Sequence, residues 1–129
     1  MEEKAPAGPK ELYDRAREDF ISGRYAQARR GFFELASAYP EHHLVDNALY
    51  WAGETWYSVK EYGRALEVFL EAADKYPEGN KAPDSTLKAA LSYLELGEPD
   101  KAEAKLREVM ERFPDTGPAM TARRTLENL

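Results

Sequence analysis

The sequence predicts an all-α fold, a right-handed solenoid of three stacked helix pairs closed by a C-terminal capping helix. Pro40, Pro77 and Pro114 are spaced 37 residues apart, and each follows an aromatic residue. Between them, apolar residues recur at helical spacing. A unit of this length cannot bury its apolar face alone and must stack on further copies of itself. Such a stack offers an extended binding surface rather than a catalytic pocket.

Each repeat is predicted to hold two helices. The first helices are expected at 9–21, 44–59 and 83–96, and the second helices at 25–39, 62–76 and 100–113. Gly23 and Gly97 interrupt the pattern between the two helices of a pair, and Lys60 with Glu61 stands there in the middle unit. The repeats therefore span about 9–40, 44–77 and 83–114, and residues 118–129 are predicted to form a cap with a polar outer face.

A packing pattern repeats along the second helices. A shift of 37 residues places Ala28 on Ala65 and Phe32 on Phe69. The small residue lets two helices approach closely, and the large residue one turn later fills the space between them. The sequence therefore predicts a continuous core that runs through all the units.

This pattern resembles the tetratricopeptide repeat, and the middle unit matches it best. The matching residues, in order, are Gly53, Trp56, Ala65, Phe69, Ala72 and Pro77. The usual repeat has about 34 residues, so each unit here carries about three more, which fit in the loops at 41–45 and 78–82. The resemblance implies that the first helix of each unit lines the concave face.

Composition narrows the functional classes. The 129 residues suit one domain at 9–129, and residues 1–8 are predicted to be a disordered linker or leader. There is no cysteine, and the net charge of −6 comes without a basic run, which argues against nucleic acid or anionic lipid as the main ligand. No stretch has the roughly 20 apolar residues of a membrane helix. Protein partners remain the leading class.

The sequence carries no recognisable active-site motif. His42 and His43 adjoin Glu41 and Asp46 in a loop, but adjacent histidines on a loop form no preorganised pair of metal ligands. The sequence contains no glycine-rich phosphate loop and no nucleophile elbow. We therefore predict no catalytic residue, no metal, no cofactor and no enzymatic activity.

The candidate binding groove lies on the first helices, away from their core stripe. Its residues are Tyr13, Arg17, Phe20, Tyr50, Glu54, Tyr57, Lys88 and Leu91. Large aromatic side chains in such a groove would act as anchors for a partner segment. The alternative is that the aromatic rings belong to the core. Trp51, about 100° round the helix from Tyr50, is predicted either to flank the groove or to pack against a neighbouring helix.

Two segments carry a narrower resemblance. Residues 47–54 and the string Lys81-Ala82-Pro83-Asp84 are similar to the C-terminal domain of the YbgF family, also called CpoB. That resemblance implies a periplasmic adaptor of the Tol-Pal system that contacts TolA and helps coordinate cell division. The same string also has a local explanation, because Pro83 and Asp84 suit the first turn of a helix.

Three alternatives to this adaptor stay open. One is a role in outer-membrane assembly like that of BamD, or as another bacterial scaffold. Another is self-association through an end of the stack. The third is a receptor for chaperone tails, which needs a cage of lysine, arginine and asparagine. Only Arg17, Lys88 and Asn47 could contribute to such a cage.

Overall fold

The computed structural model describes residues 6–129, and all the regular secondary structure in that range is helical. The helices are α1 (Pro9–Ile21), α2 (Tyr25–Ala38), α3 (Val45–Ser58), α4 (Tyr62–Lys75), α5 (Ala82–Glu95), α6 (Pro99–Arg112) and α7 (Gly117–Glu127). The predicted all-α class is confirmed, and the predicted helix ends agree with the observed ones to within two residues. Pro83 and Asp84 lie in the first turn of α5, as the local explanation requires.

The helices stack in chain order, each packing on the next. The first helices of successive units, α1, α3 and α5, also contact one another, and α5 contacts α7. Between residues 6 and 129, the second helices α2, α4 and α6 make no such contacts with each other. Elements on the inside of a curved stack lie closest together, so the first helices form the concave side.

A residue in the left-handed backbone conformation follows the first helix of every pair. Gly23, Lys60 and Gly97 are spaced 37 residues apart and have φ angles of 80°, 64° and 76°. Glycine adopts this conformation at no steric cost, whereas lysine rarely does. The middle unit therefore makes the same turn without glycine, as the sequence predicts.

The core follows the predicted packing pattern. Ala28, Ala65 and Ala102 are fully buried, and so are Phe32 and Phe69 one turn after the first two of them. These residues come from the second helices, and they pack against the first helices on either side. The solenoid is thus held by one small and one large side chain per unit.

At the ends of α4 and α6, a side chain hydrogen-bonds to the loop that follows the preceding unit, and we call this bond a tie. The hydroxyl of Tyr76 donates to the carbonyl of Pro40 at 3.0 Å. Phe113, one repeat later, has no hydroxyl, and the neighbouring Arg112 guanidinium instead donates to the carbonyl of Pro77 at 3.4 Å. Pro77 is the equivalent of Pro40, so two different side chains make the same tie.

The first unit makes a related tie to the segment before α1. Tyr39 donates its hydroxyl to the carbonyl of Ala7 at 2.8 Å, and the Ala7 side chain packs against the core. The larger part of the predicted leader, residues 1–5, lies outside the described residues. In the described part, no helix is long and apolar enough to cross a membrane.

The loop between the second and third units is anchored by a buried carboxylate. Asp46 is 7% exposed, and its Oδ2 accepts the backbone N–H of Lys81 at 2.8 Å. Gly79 lies so close that a Cβ atom there would meet Oδ2 at 2.5 Å. Asp46, on α3, therefore has a structural role in holding the loop before α5.

Candidate binding groove

The concave side carries the eight residues that the sequence singles out. We call the surface formed by α1, α3 and α5 the groove. Arg17 is exposed, and the other seven residues are half-buried. The groove residues are Tyr13, Arg17 and Phe20 on α1, Tyr50, Glu54 and Tyr57 on α3, and Lys88 and Leu91 on α5.

Trp51 contacts four residues in the part of the groove between α1 and α3. Its indole N–H donates to the hydroxyl of Tyr13 at 3.1 Å. The rings of Phe20 and Tyr50 meet its ring edge to face, with centroids 5.2 and 5.3 Å away. The guanidinium carbon of Arg17 lies 5.3 Å from the centre of the same ring. Trp51 therefore packs against a neighbouring helix and flanks the groove at the same time.

The aromatic rings of the groove also contact the core. Tyr13 meets the buried Phe32 at 6.0 Å between centroids. Tyr50 and Tyr57 meet the buried Phe69 at 5.9 and 6.5 Å. Each of these tyrosines thus has contacts with the core and a part that stays accessible. A ring held in this way loses little conformational entropy when a ligand covers it.

An ion pair crosses the groove between α3 and α5. Glu54 Oε1 lies 3.1 Å from Lys88 Nζ, at angles outside those of a hydrogen bond. The two side chains are 16% and 22% exposed. Lys88 Nζ also lies 4.0 Å from the ring centre of Tyr57, a cation–π contact. Lys88 is therefore already paired with Glu54 and Tyr57. This removes one of the three residues that could contribute to a cage for the carboxylate of a chaperone tail.

Burial disfavours the charged forms of Glu54, Tyr50 and Tyr57 in the groove. Burial raises the pKa of Glu54, and the charge of Lys88 offsets part of that rise. Burial also raises the pKa of Tyr50, to which the charges of Glu54 and Asp84 contribute. The pKa of Tyr57 is raised mainly by burial as well. Both tyrosine hydroxyls therefore stay protonated near neutral pH and can donate hydrogen bonds to a ligand.

Glu54 should make the stability of the domain depend on pH. Its folded-state pKa lies above the ordinary value of 4.5, so protonation favours the folded state. The resulting stabilisation is complete below pH 4.5 and is lost as the pH rises through the raised folded pKa. We expect the free energy of unfolding of the wild type, measured relative to Glu54→Gln by urea titration, to increase as the pH falls over that window.

Lys88→Met provides the control for this prediction. Removing the lysine charge takes away the interaction that lowers the pKa of Glu54, so the pH-dependent window should move to higher pH. A difference between wild type and Glu54→Gln that does not change with pH would contradict the assignment.

Lys81 is a groove residue that the sequence does not single out. Its Nζ lies 5.3 Å from the ring centre of Tyr50, so it borders the groove from the loop before α5. Helical periodicity gives no signal for a loop residue. The contact between Lys81 and Tyr50 depends on the path of the loop before α5 relative to α3.

His42 and His43 lie side by side in the loop before α3. Their rings stack at 4.3 Å, and Nδ1 of His42 accepts the backbone N–H of Leu44 at 3.1 Å. Within residues 6–129, no group of three histidine or carboxylate side chains is arranged to hold a metal ion.

Comparison with known proteins identifies the repeat. Residues 84–116 match the tetratricopeptide repeat family. No curated protein sequence matches the chain.

Solved structures share the fold over almost the whole chain. The type III secretion translocator chaperone SycD of Yersinia enterocolitica has a TM-score of 0.81 at 22% identity, covering 98% of this chain and 95% of that one. SycD in complex with a peptide of the translocator YopD has a TM-score of 0.79 at 22% identity, with coverage of 92% and 89%. The first tetratricopeptide domain of Spaghetti (RPAP3), bound to the HSP90 peptide SRMEEVD, has 0.73 at 14%, with coverage of 93% and 90%. The fold is therefore that of a tetratricopeptide repeat stack.

Proposed function

We propose that this chain is a non-enzymatic adaptor that holds a segment of a partner protein in the groove. The observation that carries the proposal is the set of aromatic rings around Trp51, which are fixed by the core and by each other yet remain partly accessible. Rigid aromatic anchors of this kind contribute most of the energy at many protein interfaces. Two of the structural neighbours hold peptides of other proteins, which supports a peptide ligand.

The groove also sets the chemistry of that ligand. Its central charges, Glu54 and Lys88, neutralise each other, so the middle of the groove suits apolar side chains. Arg17 is exposed, is stacked on Trp51, and has no carboxylate within 4.0 Å among residues 6–129. We therefore expect an extended or helical segment with apolar anchors and an acidic residue that meets Arg17.

A narrower form of the proposal places the chain in the Tol-Pal system. It rests on the similarity of residues 47–54 and 81–84 to the YbgF family, and it assigns a periplasmic location and a TolA-like partner. Residues 47–54 contribute Tyr50, Trp51 and Glu54 to the groove, so the part of the chain that carries the resemblance is also the part that would hold the partner.

Site-specific photocrosslinking tests both forms of the proposal. A benzophenone side chain at Arg17 probes the groove, and the same group at Arg30, an exposed residue of α2, probes the outer surface. With a Gram-negative envelope extract we expect a protein to crosslink at position 17 but not at 30. That protein should bind Arg17→Glu about tenfold more weakly, or ~1.4 kcal/mol, and Arg30→Glu nearly as well as wild type.

The outcomes separate the two forms. Crosslinks only at position 30, or equally at both positions, would contradict the groove. A specific crosslink at position 17 to a protein other than TolA, with no binding to purified TolA, would sustain the groove and overturn the Tol-Pal assignment.

A further inference from the structure

Two arginines and a tryptophan form a cluster outside the groove. Trp56 of α3 lies between the second helices of two units, with Arg29 contributed by α2 and Arg64 by α4. The guanidinium carbons of Arg29 and Arg64 lie 3.2 and 4.9 Å from the centre of the Trp56 ring. Two positive charges therefore meet at one aromatic side chain, which we call the Arg-Trp-Arg cluster.

Within residues 6–129, no acidic side chain forms an ion pair with this cluster. Across residues 6–129, nine ion pairs are formed, and neither Arg29 nor Arg64 takes part in one. Arg29 donates Nε–H to the Thr55 hydroxyl at 2.9 Å. That bond fixes the guanidinium in place, and its terminal nitrogens make no side-chain hydrogen bond in the described part of the chain.

The positively charged guanidinium groups of Arg29 and Arg64 repel each other. Burial lowers the pKa of Arg29, and the charge of Arg64 lowers it further. Stacking on Trp56 compensates in part. An anion placed against both groups would remove the repulsion and satisfy the free N–H donors, because guanidinium binds carboxylate and phosphate oxygens with two parallel hydrogen bonds.

The cluster is particular to the middle unit. One repeat later, Lys101 stands in place of Arg64 and Tyr93 in place of Trp56, with Nζ 6.0 Å from the ring centre. Lys101, however, is paired with Glu98 at 3.3 Å. The third unit thus has an equivalent cation–aromatic contact, but its cation is neutralised by Glu98.

We propose that the Arg-Trp-Arg cluster is a second binding site, which takes an oxyanion such as the carboxylate of an acidic side chain or a phosphate group. The site lies on the side of the second helices, so its ligand need not be the one in the groove.

The two tryptophans of the chain allow a direct test by NMR. Sodium phosphate and sodium acetate are titrated separately into the whole domain, with chloride holding the ionic strength constant, and the two indole N–H signals are followed. We expect a saturable shift of the Trp56 signal with at least one probe. The Trp51 signal should respond more weakly, because a single exposed guanidinium, that of Arg17, lies against its ring. Phosphate and acetate distinguish a phosphorylated ligand from an acidic one.

Variants complete the test. Arg64→Gln changes an exposed residue and should weaken the apparent affinity at least fivefold, while Arg30→Gln, on the same side of the stack, should leave it within twofold. Circular dichroism confirms that both variants are folded. The proposal is overturned if the Trp56 shift is linear in concentration, equals that of Trp51, or persists unchanged in Arg64→Gln.

Discussion

Replacing Phe69 with alanine should lower the free energy of unfolding by about 3–5 kcal/mol. Phe69 is fully buried and lies where α3, α4 and α5 meet, and Tyr50 and Tyr57 rest on its ring. Its removal leaves a cavity that rigid neighbouring helices cannot fill. The total stability of a domain this size is about 5–15 kcal/mol, so the variant should unfold at a much lower urea concentration.

Ile21→Ala is the matched control for this prediction. Ile21 is 74% exposed at the end of α1, and its truncation should change the stability by less than about 0.5 kcal/mol. If Phe69→Ala were no worse than Ile21→Ala in urea denaturation, Phe69 would not be the centre of the core.

Adding one methyl group at Gly53 should destabilise the domain by about 1–2 kcal/mol. A Cβ atom there would lie 2.5 Å from Cε1 of Phe69, and this buried ring has little room to move. Overpacking of this kind costs about 1–3 kcal/mol. The gain in helix propensity from glycine to alanine is up to about 1 kcal/mol, so the steric cost outweighs it.

The opposite result is expected at Gly63. It lies near the start of α4, and a Cβ atom there would meet nothing within 4 Å. Gly63→Ala should therefore stabilise the domain by up to about 1 kcal/mol. Thermal unfolding of both variants would reveal the contrast, and a stabilising Gly53→Ala would show that the helices do not approach as closely as this structure has them.

The repeat made most of the fold predictable. The 37-residue spacing identifies equivalent residues in the three units. A helix end predicted in one unit could therefore be checked against the same position in the other two. Gly53 and Phe69 each match a position of the repeat, and the structure adds that the ring of Phe69 on α4 lies against Gly53 on α3. Lys60 could be placed in a left-handed turn because Gly23 and Gly97 occupy the equivalent positions.

The contacts in the groove were less predictable, for a physical reason. The Glu54–Lys88 pair and the Trp51–Tyr13 hydrogen bond each join two units. Such contacts depend on the rotation of one unit against the next and on side-chain rotamers, and neither is set by periodicity. The sequence thus indicated the surface, but it could not show that Lys88 is engaged by Glu54.

The ties at the ends of the second helices give the stack a direction. In each of them the donor, whether Tyr39, Tyr76 or Arg112, belongs to the later part of the chain, and the acceptor carbonyl to the earlier part. A loop therefore loses its tie when the unit after it opens, but keeps it when the unit before it opens. We therefore expect units that look interchangeable in sequence to melt unequally, with opening from the C-terminal end releasing the loops one after another.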